Sequence, residues 1–156
     1  MESARADMMA DVAGDYRDSL VRLCYNPKFD QEMLQHWVSG TGDFKGSPLK
    51  DRLENMERLV FTPLVSEYMY LISRFLVSGG GCWFAGKNLS FADFLVWELL
   101  DQHRLLIPGC LTPFPAITRF MARFEELENI KKYLEDPRYK QFPVWSMRAK
   151  YGYYPL

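Results

Sequence analysis

Cysteine is scarce in this chain, and what there is has no metal-binding or disulfide spacing. Cys24, Cys82 and Cys110 are an odd number, widely separated, with no CxxC and no Cys/His pairing. That excludes a disulfide framework and a zinc site and leaves reduced thiols. An excess of one charge is missing too: nineteen Lys and Arg face twenty Asp and Glu, for a net charge of −1. The chain therefore lacks the basic footprint of a nucleic-acid or anionic-membrane binder. No run is long and apolar enough to span a bilayer, and Met1 to Ala13 has no apolar signal core. The expectation is a soluble, cytoplasmic protein with no membrane and no nucleic-acid partner. His36 has no Cys, Asp or Ser partner at useful spacing, so no nucleophilic triad is supported.

Strand alternation does not persist beyond a few residues, and no Gly-x-Gly-x-x-Gly occurs, so the fold class expected is all-α. The glycines of Ser78-Gly79-Gly80-Gly81 follow no strand and precede no Gly-Lys-Ser/Thr. They read as a helix–helix connection, not a phosphate loop. What the chain does hold is apolar bulk: 48% hydrophobic residues, with eleven Phe, nine Tyr and four Trp in 156 residues. That is enough for the core of one compact domain spanning 1–156.

Val12, Tyr16, Leu20 and Leu23 recur at spacings of three and four, which predicts an amphipathic helix over about residues 3–24, ended by Pro27. Gly14 within it points to a close contact or a kink. Residues 39–47 read as a loop, and 30–47 as a whole as a loop or insertion. Pro48 opens a helix whose apolar positions run from Leu49 to Leu76, with a kink or break at Pro63. Thr112 as cap and Pro113 at the first position predict a further helix with Ile117, Phe120, Met121 and Phe124 on one face. A last short helix is expected at about 127–135.

The densest signal is Trp83 to Glu98. Gly86 closes a turn, Ser90 caps a helix, and Asp93 stands where a capping-box carboxylate returns to the Ser90 amide. Leu89 and Phe94 complete a hydrophobic staple. The helix that follows is apolar nearly all round up to His103 and is expected to run through the core, with Trp97 structural and His103 a partner for the helix C-terminal dipole.

This cap and staple resemble the start of the buried helix in the C-terminal domain of cytosolic glutathione transferases. Leu100-Asp101-Gln102-His103-Arg104, Cys110-Leu111, Phe114-Pro115, Ala122-Arg123-Phe124-Glu125-Glu126-Leu127 and Cys24-Tyr25-Asn26-Pro27 resemble the mu class specifically. The resemblance covers about 15–29 and 82–152. Between Tyr25 and Phe75 the chain is longer than that class by roughly two dozen residues, a length that is seldom neutral in a loop. The fold implied is the helical bundle of the transferase C-terminal domain. The thioredoxin-like domain, which in the family binds glutathione, is expected to be absent from these 156 residues.

The resemblance also assigns a site. Tyr25 is the implied catalytic residue, a phenol facing the second substrate and able to donate to charge developing on it; the plain alternative is a Tyr packed at a helix end. Gly14, Arg17, Asp18 and Val21 fall where the class lines its hydrophobic pocket, and Trp145 and Ser146 fall on the tail that covers it. Gly14 and Asp18 replace bulky apolar positions, which implies a more polar or open pocket. Arg17 could face an anionic substrate or only water. Asp15 matches a carboxylate that reaches the glutathione of the neighbouring subunit; otherwise it is a solvated helix aspartate. No metal and no tightly bound cofactor is implied; glutathione is the co-substrate if the other domain is present.

Two functions follow. One is the helical half of a transferase that conjugates glutathione to hydrophobic electrophiles, partnered by a second copy of itself or by a thioredoxin-like domain. The other is a non-catalytic interaction module of the same fold.

Overall fold

The computed structural model describes residues 2–30, 32–34 and 64–153, with the backbone alone at 64–66. The expected loop at 39–47, Pro48 and the Pro63 kink lie outside these residues, as does the expected loop or insertion at 30–47 apart from residues 30 and 32–34, the last three of which are helical. Five helices are described: α1 (Glu2–Cys24), α2 (Leu64–Ser78), α3 (Phe91–Leu106), α4 (Pro115–Glu125) and α5 (Glu128–Leu134). No strand occurs among the described residues.

Helix α1 buries Ala6, Met9, Ala13, Tyr16, Leu20 and Leu23, one side chain per turn, against α3. Gly14 neither kinks it nor makes a close contact: a Cβ there would meet nothing within 4 Å. Tyr16 sits between two other helices, its ring 3.9 Å from that of Tyr68 on α2 and 4.7 Å from that of His103 on α3. This stack ties α1, α2 and α3 together at their centres.

The Gly79–Gly81 connection turns the chain after α2. Gly80 and Gly81 take positive φ (100° and 75°), which a side chain would resist. Arg5 closes the end of α2, donating to the Phe75 carbonyl (2.8 Å) and lying 4.3 Å from the Phe75 ring centre. Arg123 on α4 does the same for the loop beyond, donating to the Cys82 carbonyl at 2.8 Å.

The start of α3 is built on one buried carboxylate. Asp93 accepts from the amide of Ser90 (2.7 Å), the hydroxyl of Ser90 (2.8 Å) and the amide of Phe84 (2.9 Å). It caps its own helix and anchors the preceding turn. The staple is less complete: Leu89 and Phe94 both stay exposed, and Phe94 instead stands edge-on to Phe124 at 5.0 Å. Nor is α3 buried all round, because Phe91, Phe94 and Leu95 are 54%, 45% and 45% exposed.

Two further sequence expectations are corrected. Helix α4 begins at Pro115, with Phe114 as its cap, and not at Thr112-Pro113. The backbone from 108 to 113 instead forms successive turns around Gly109 at φ +85°, and Thr118 N donates to the Phe114 carbonyl. Its apolar face is the one expected: Ile117, Phe120, Met121 and Phe124 are buried.

His103 is not a charged partner for the helix dipole. It is fully buried, its Nδ1–H donates to the Leu99 carbonyl (2.7 Å), and burial pulls its pKa down from 6.5 to about 4. The unfolded chain thus binds the proton over a pH range where the fold refuses it. Stability is fully present above the unfolded value of 6.5 and falls as pH drops from there toward 4, with a slope approaching about 1.4 kcal/mol per pH unit. Urea titrations across this window should show that slope in the wild type and its loss in His103→Leu.

Candidate active site

The last turn of α1 and the C-terminal tail make one structure. Tyr25 closes α1 through its amide to the Val21 carbonyl (3.0 Å), and Pro27 stops the helix. Asn26 turns the chain by accepting the Lys28 amide at 2.9 Å. The end of a helix leaves carbonyls without partners, and here the tail supplies donors. Lys150 N and Tyr151 N both reach the Cys24 carbonyl, at 2.7 and 3.3 Å. Tyr151 also bonds through its hydroxyl to the Leu106 carbonyl at the end of α3, and its ring stacks on Phe29 at 4.9 Å.

The tail is held in a closed loop by Gly152, whose carbonyl accepts from the amides of Val144 (3.0 Å) and Trp145 (3.3 Å). This places Trp145 and Ser146 over the end of α1. The Trp145 ring stands edge-on to Tyr25 at 6.2 Å. Tyr25 donates its phenolic hydrogen to Ser146 Oγ (3.1 Å), while the Ser146 amide donates back to the Tyr25 oxygen (3.3 Å). Arg17, two turns earlier, sets its guanidinium 5.9 Å from the Trp145 ring centre. Four residues picked out from sequence, Arg17, Tyr25, Trp145 and Ser146, thus form one cluster.

The other four lie along α1. Residues 14, 18, 21 and 25 fall at helical spacing on one face. Gly14, Asp15, Arg17 and Asp18 line a cleft of about 630 Å³ together with Met8 and Asp11. Val21 is half-buried and packs against the core. Asp18 is exposed and Asp15 half-buried, so the polar character expected of this face is present.

Reactive sulfur is absent from the cluster. Burial pushes the Cys24 thiol up to about 12, with the nearby Trp145 indole a smaller opposing influence, so Cys24 stays protonated. The Tyr151 phenol is likewise pushed up to about 12 by burial, which keeps it a donor. Tyr25, 36% exposed, is the phenol of the cluster that faces outward. No set of three or more His, Cys, Asp or Glu is placed to hold a metal among the described residues.

A sequence model described as "Glutathione S-transferase, C-terminal domain" matches residues 44–137, more than half of the chain. The chain belongs to the glutathione S-transferase C-terminal domain family.

Its relatives carry the mu-class name. Mouse Glutathione S-transferase Mu 1 is 33% identical over 151 residues, covering 97% of the chain and 57% of the relative. Human Glutathione S-transferase Mu 3 is 30% identical over 155 residues, covering 99% and 57%. The chain therefore spans a little over half the length of these proteins. The crystal structure of the glutathione S-transferase Blo t 8 shares the fold, with a TM-score of 0.70 over 97% of this chain and 60% of that one, at 24% identity. The mu-class resemblance and the all-α transferase fold are thereby established.

Three parts of this cluster are invisible to motif reading. The Cys24 carbonyl and the Tyr151 hydroxyl anchor the tail, and Gly152 shapes it. The last had a local signal, a lone glycine among tyrosines. Its φ of +80° marks a position where a side chain does not fit.

Proposed function

We propose that this chain is the helical, electrophile-binding part of a glutathione transferase acting on hydrophobic electrophiles in the cytoplasm, in a dimer. The observation that carries the reading is the Tyr25–Ser146 pair at 3.1 Å, with the Trp145 ring edge-on to Tyr25. Tyr25 presents a phenol whose hydrogen can pass from Ser146 to an oxygen on which charge develops as the thiolate of glutathione attacks. Gly14 and Asp18 leave the far end of the cleft open and polar, which favours electrophiles with a polar substituent over purely apolar ones. Asp15 supplies a carboxylate suited to the ammonium group of glutathione on a neighbouring subunit.

No described residue belongs to a thioredoxin-like unit, the part of the family that binds glutathione. The purified 156-residue chain is therefore expected neither to be retained on immobilised glutathione nor to conjugate an aryl halide; robust turnover would sink the reading. Joined to the part of mouse Mu 1 that it does not match, the chain is expected to conjugate. In that joined protein Tyr25→Phe should lower kcat/KM with epoxide or enone electrophiles by about ten- to a hundred-fold and leave glutathione affinity unchanged. An equal loss of both would remove Tyr25 from this role. A joined protein that folds but never conjugates favours the interaction module.

A further inference from the structure

A phenol directed at a reacting oxygen is only as well placed as the groups that hold it. Among the described residues the Tyr25 hydroxyl bonds to Ser146 alone, through the serine Oγ at 3.1 Å and the serine amide at 3.3 Å. Ser146 is itself exposed, as are Met147 and Arg148 after it, so core packing does not fix this turn. The Ala149 amide closes it by donating to the Ser146 carbonyl at 2.9 Å. The turn then stands on two buried feet, Trp145 before it and Tyr151 after it.

The two feet are tied differently. The Trp145 indole N–H is buried with no hydrogen-bond partner among the described residues, so that side chain is held by packing. Its backbone amide reaches the Gly152 carbonyl, which leads back to the second foot. There the ties run to the helices. The amides of Lys150 and Tyr151 donate to the Cys24 carbonyl at the end of α1, and the Tyr151 hydroxyl donates to the Leu106 carbonyl at the end of α3. The Leu106 carbonyl is one that a helix end leaves without an intrahelical donor. The Phe29 ring, just beyond α1, lies 4.9 Å from the Tyr151 ring with the planes 21° apart. One side chain thus spans the ends of two helices. A hydrogen bond is short and directional where apolar contact is not, so this one fixes where the tail sits as well as that it is buried.

We propose that Tyr151 is a positioning residue for the Tyr25 phenol. Its hydroxyl on Leu106 and its ring on Phe29 set the place of the 146–148 turn over the end of α1, and with it the point at which Ser146 accepts the Tyr25 hydrogen. The proposal rests on the functional reading above, in which that hydrogen passes to the electrophile. Tyr151 acts through Ser146 and not on the substrate. Tyr151→Phe keeps the ring, removes the hydroxyl and leaves the Leu106 carbonyl buried without its donor, which frees the turn to shift relative to α3.

The first test uses the protein obtained by joining this chain to the unmatched part of mouse Mu 1. Tyr151→Phe is expected to lower kcat/KM for an epoxide by about three- to ten-fold at unchanged glutathione affinity, and to lower it no further in the Tyr25→Phe background. An equal loss in both backgrounds overturns the proposal, because Tyr151 then acts on the fold at large. No loss in the presence of Tyr25 overturns it as well. The second test uses the 156-residue chain and needs no conjugation. Nitration of Tyr25 by tetranitromethane, located by peptide mass, is expected to be about two-fold faster or more in Tyr151→Phe than in the wild type. Ser90→Ala, a destabilising change at the far end of α3, is expected to leave that rate unchanged. Equal nitration of wild type and Tyr151→Phe, or an equal rise in Ser90→Ala, overturns the proposal. A joined protein that does not conjugate, or in which Tyr25→Phe changes nothing, sinks the proposed function, and the nitration rates still decide whether Tyr151 holds Tyr25. Phe29→Leu, which loosens the Tyr151 ring and spares its hydroxyl, takes the place of Tyr151→Phe in both tests if that variant does not fold, with the same pattern expected.

Discussion

Asp93→Ala is expected to destabilise the chain by about 3–5 kcal/mol, the largest effect of any single substitution considered, because it strands buried backbone donors and not merely a cap. A lost helix cap alone costs about 1 kcal/mol. Here the fully buried carboxylate also holds the amide of Phe84, nine residues earlier, at 2.9 Å. Removing it leaves the Phe84 and Ser90 amides without their acceptor, and the turn that presents Trp83 and Phe84 to Phe120 loses its tie to α3. Ser90→Ala, which removes one of three donors and leaves both amides satisfied, is expected to cost no more than about 1 kcal/mol. Urea unfolding followed by tryptophan fluorescence measures both. Equal losses for the two variants would mean that the Phe84 bond contributes nothing.

Gly152→Ala is expected to cost about 2–4 kcal/mol, the sum of a left-handed backbone taken by a residue with a Cβ and of overpacking. The added carbon would stand 2.7 Å from Cδ1 of Trp145 and 2.9 Å from Cδ2 of Leu106 at φ +80°. Trp145 has to leave its place, and with it go its edge-on contact with Tyr25 and the position of Ser146 against Tyr25. The variant is therefore a test of the site as well as of stability. Tail deletion from 143 onward should produce the same change in Tyr25 accessibility as Gly152→Ala. If Tyr25 becomes no more reactive toward tetranitromethane in either, the tail does not hold it.

Much of the helical frame was legible because its causes are local. The face of α1 follows from apolar residues at spacings of three and four, the stop at Pro27 from a missing amide, and the Asp93 cap from a carboxylate three residues into a helix. The start of α4 was misjudged for a reason equally physical. Thr112-Pro113 and Phe114-Pro115 both put a Pro at a first helical position, and the choice between them is made by the Leu111 and Ile117 side chains, both of which are buried. His103 looked like a dipole partner by its place near the end of α3. Only the packing of Tyr16 onto its ring shows that it is enclosed and neutral.

The sequence by itself determined the all-α class, the Asp93 cap, the mu-class resemblance and the identity of Tyr25, Trp145 and Ser146 as the residues to examine. These rest on patterns spanning a few residues, or on motif likeness, and need no knowledge of where distant parts of the chain lie. Tertiary structure decided that Tyr25 bonds to Ser146, 121 residues away, that the Trp145 ring stands against Tyr25, and that one face of an all-round apolar helix stands uncovered. A hydrogen bond between distant residues depends on how the helices pack. Packing is the summed result of many apolar contacts, which no single stretch of sequence encodes.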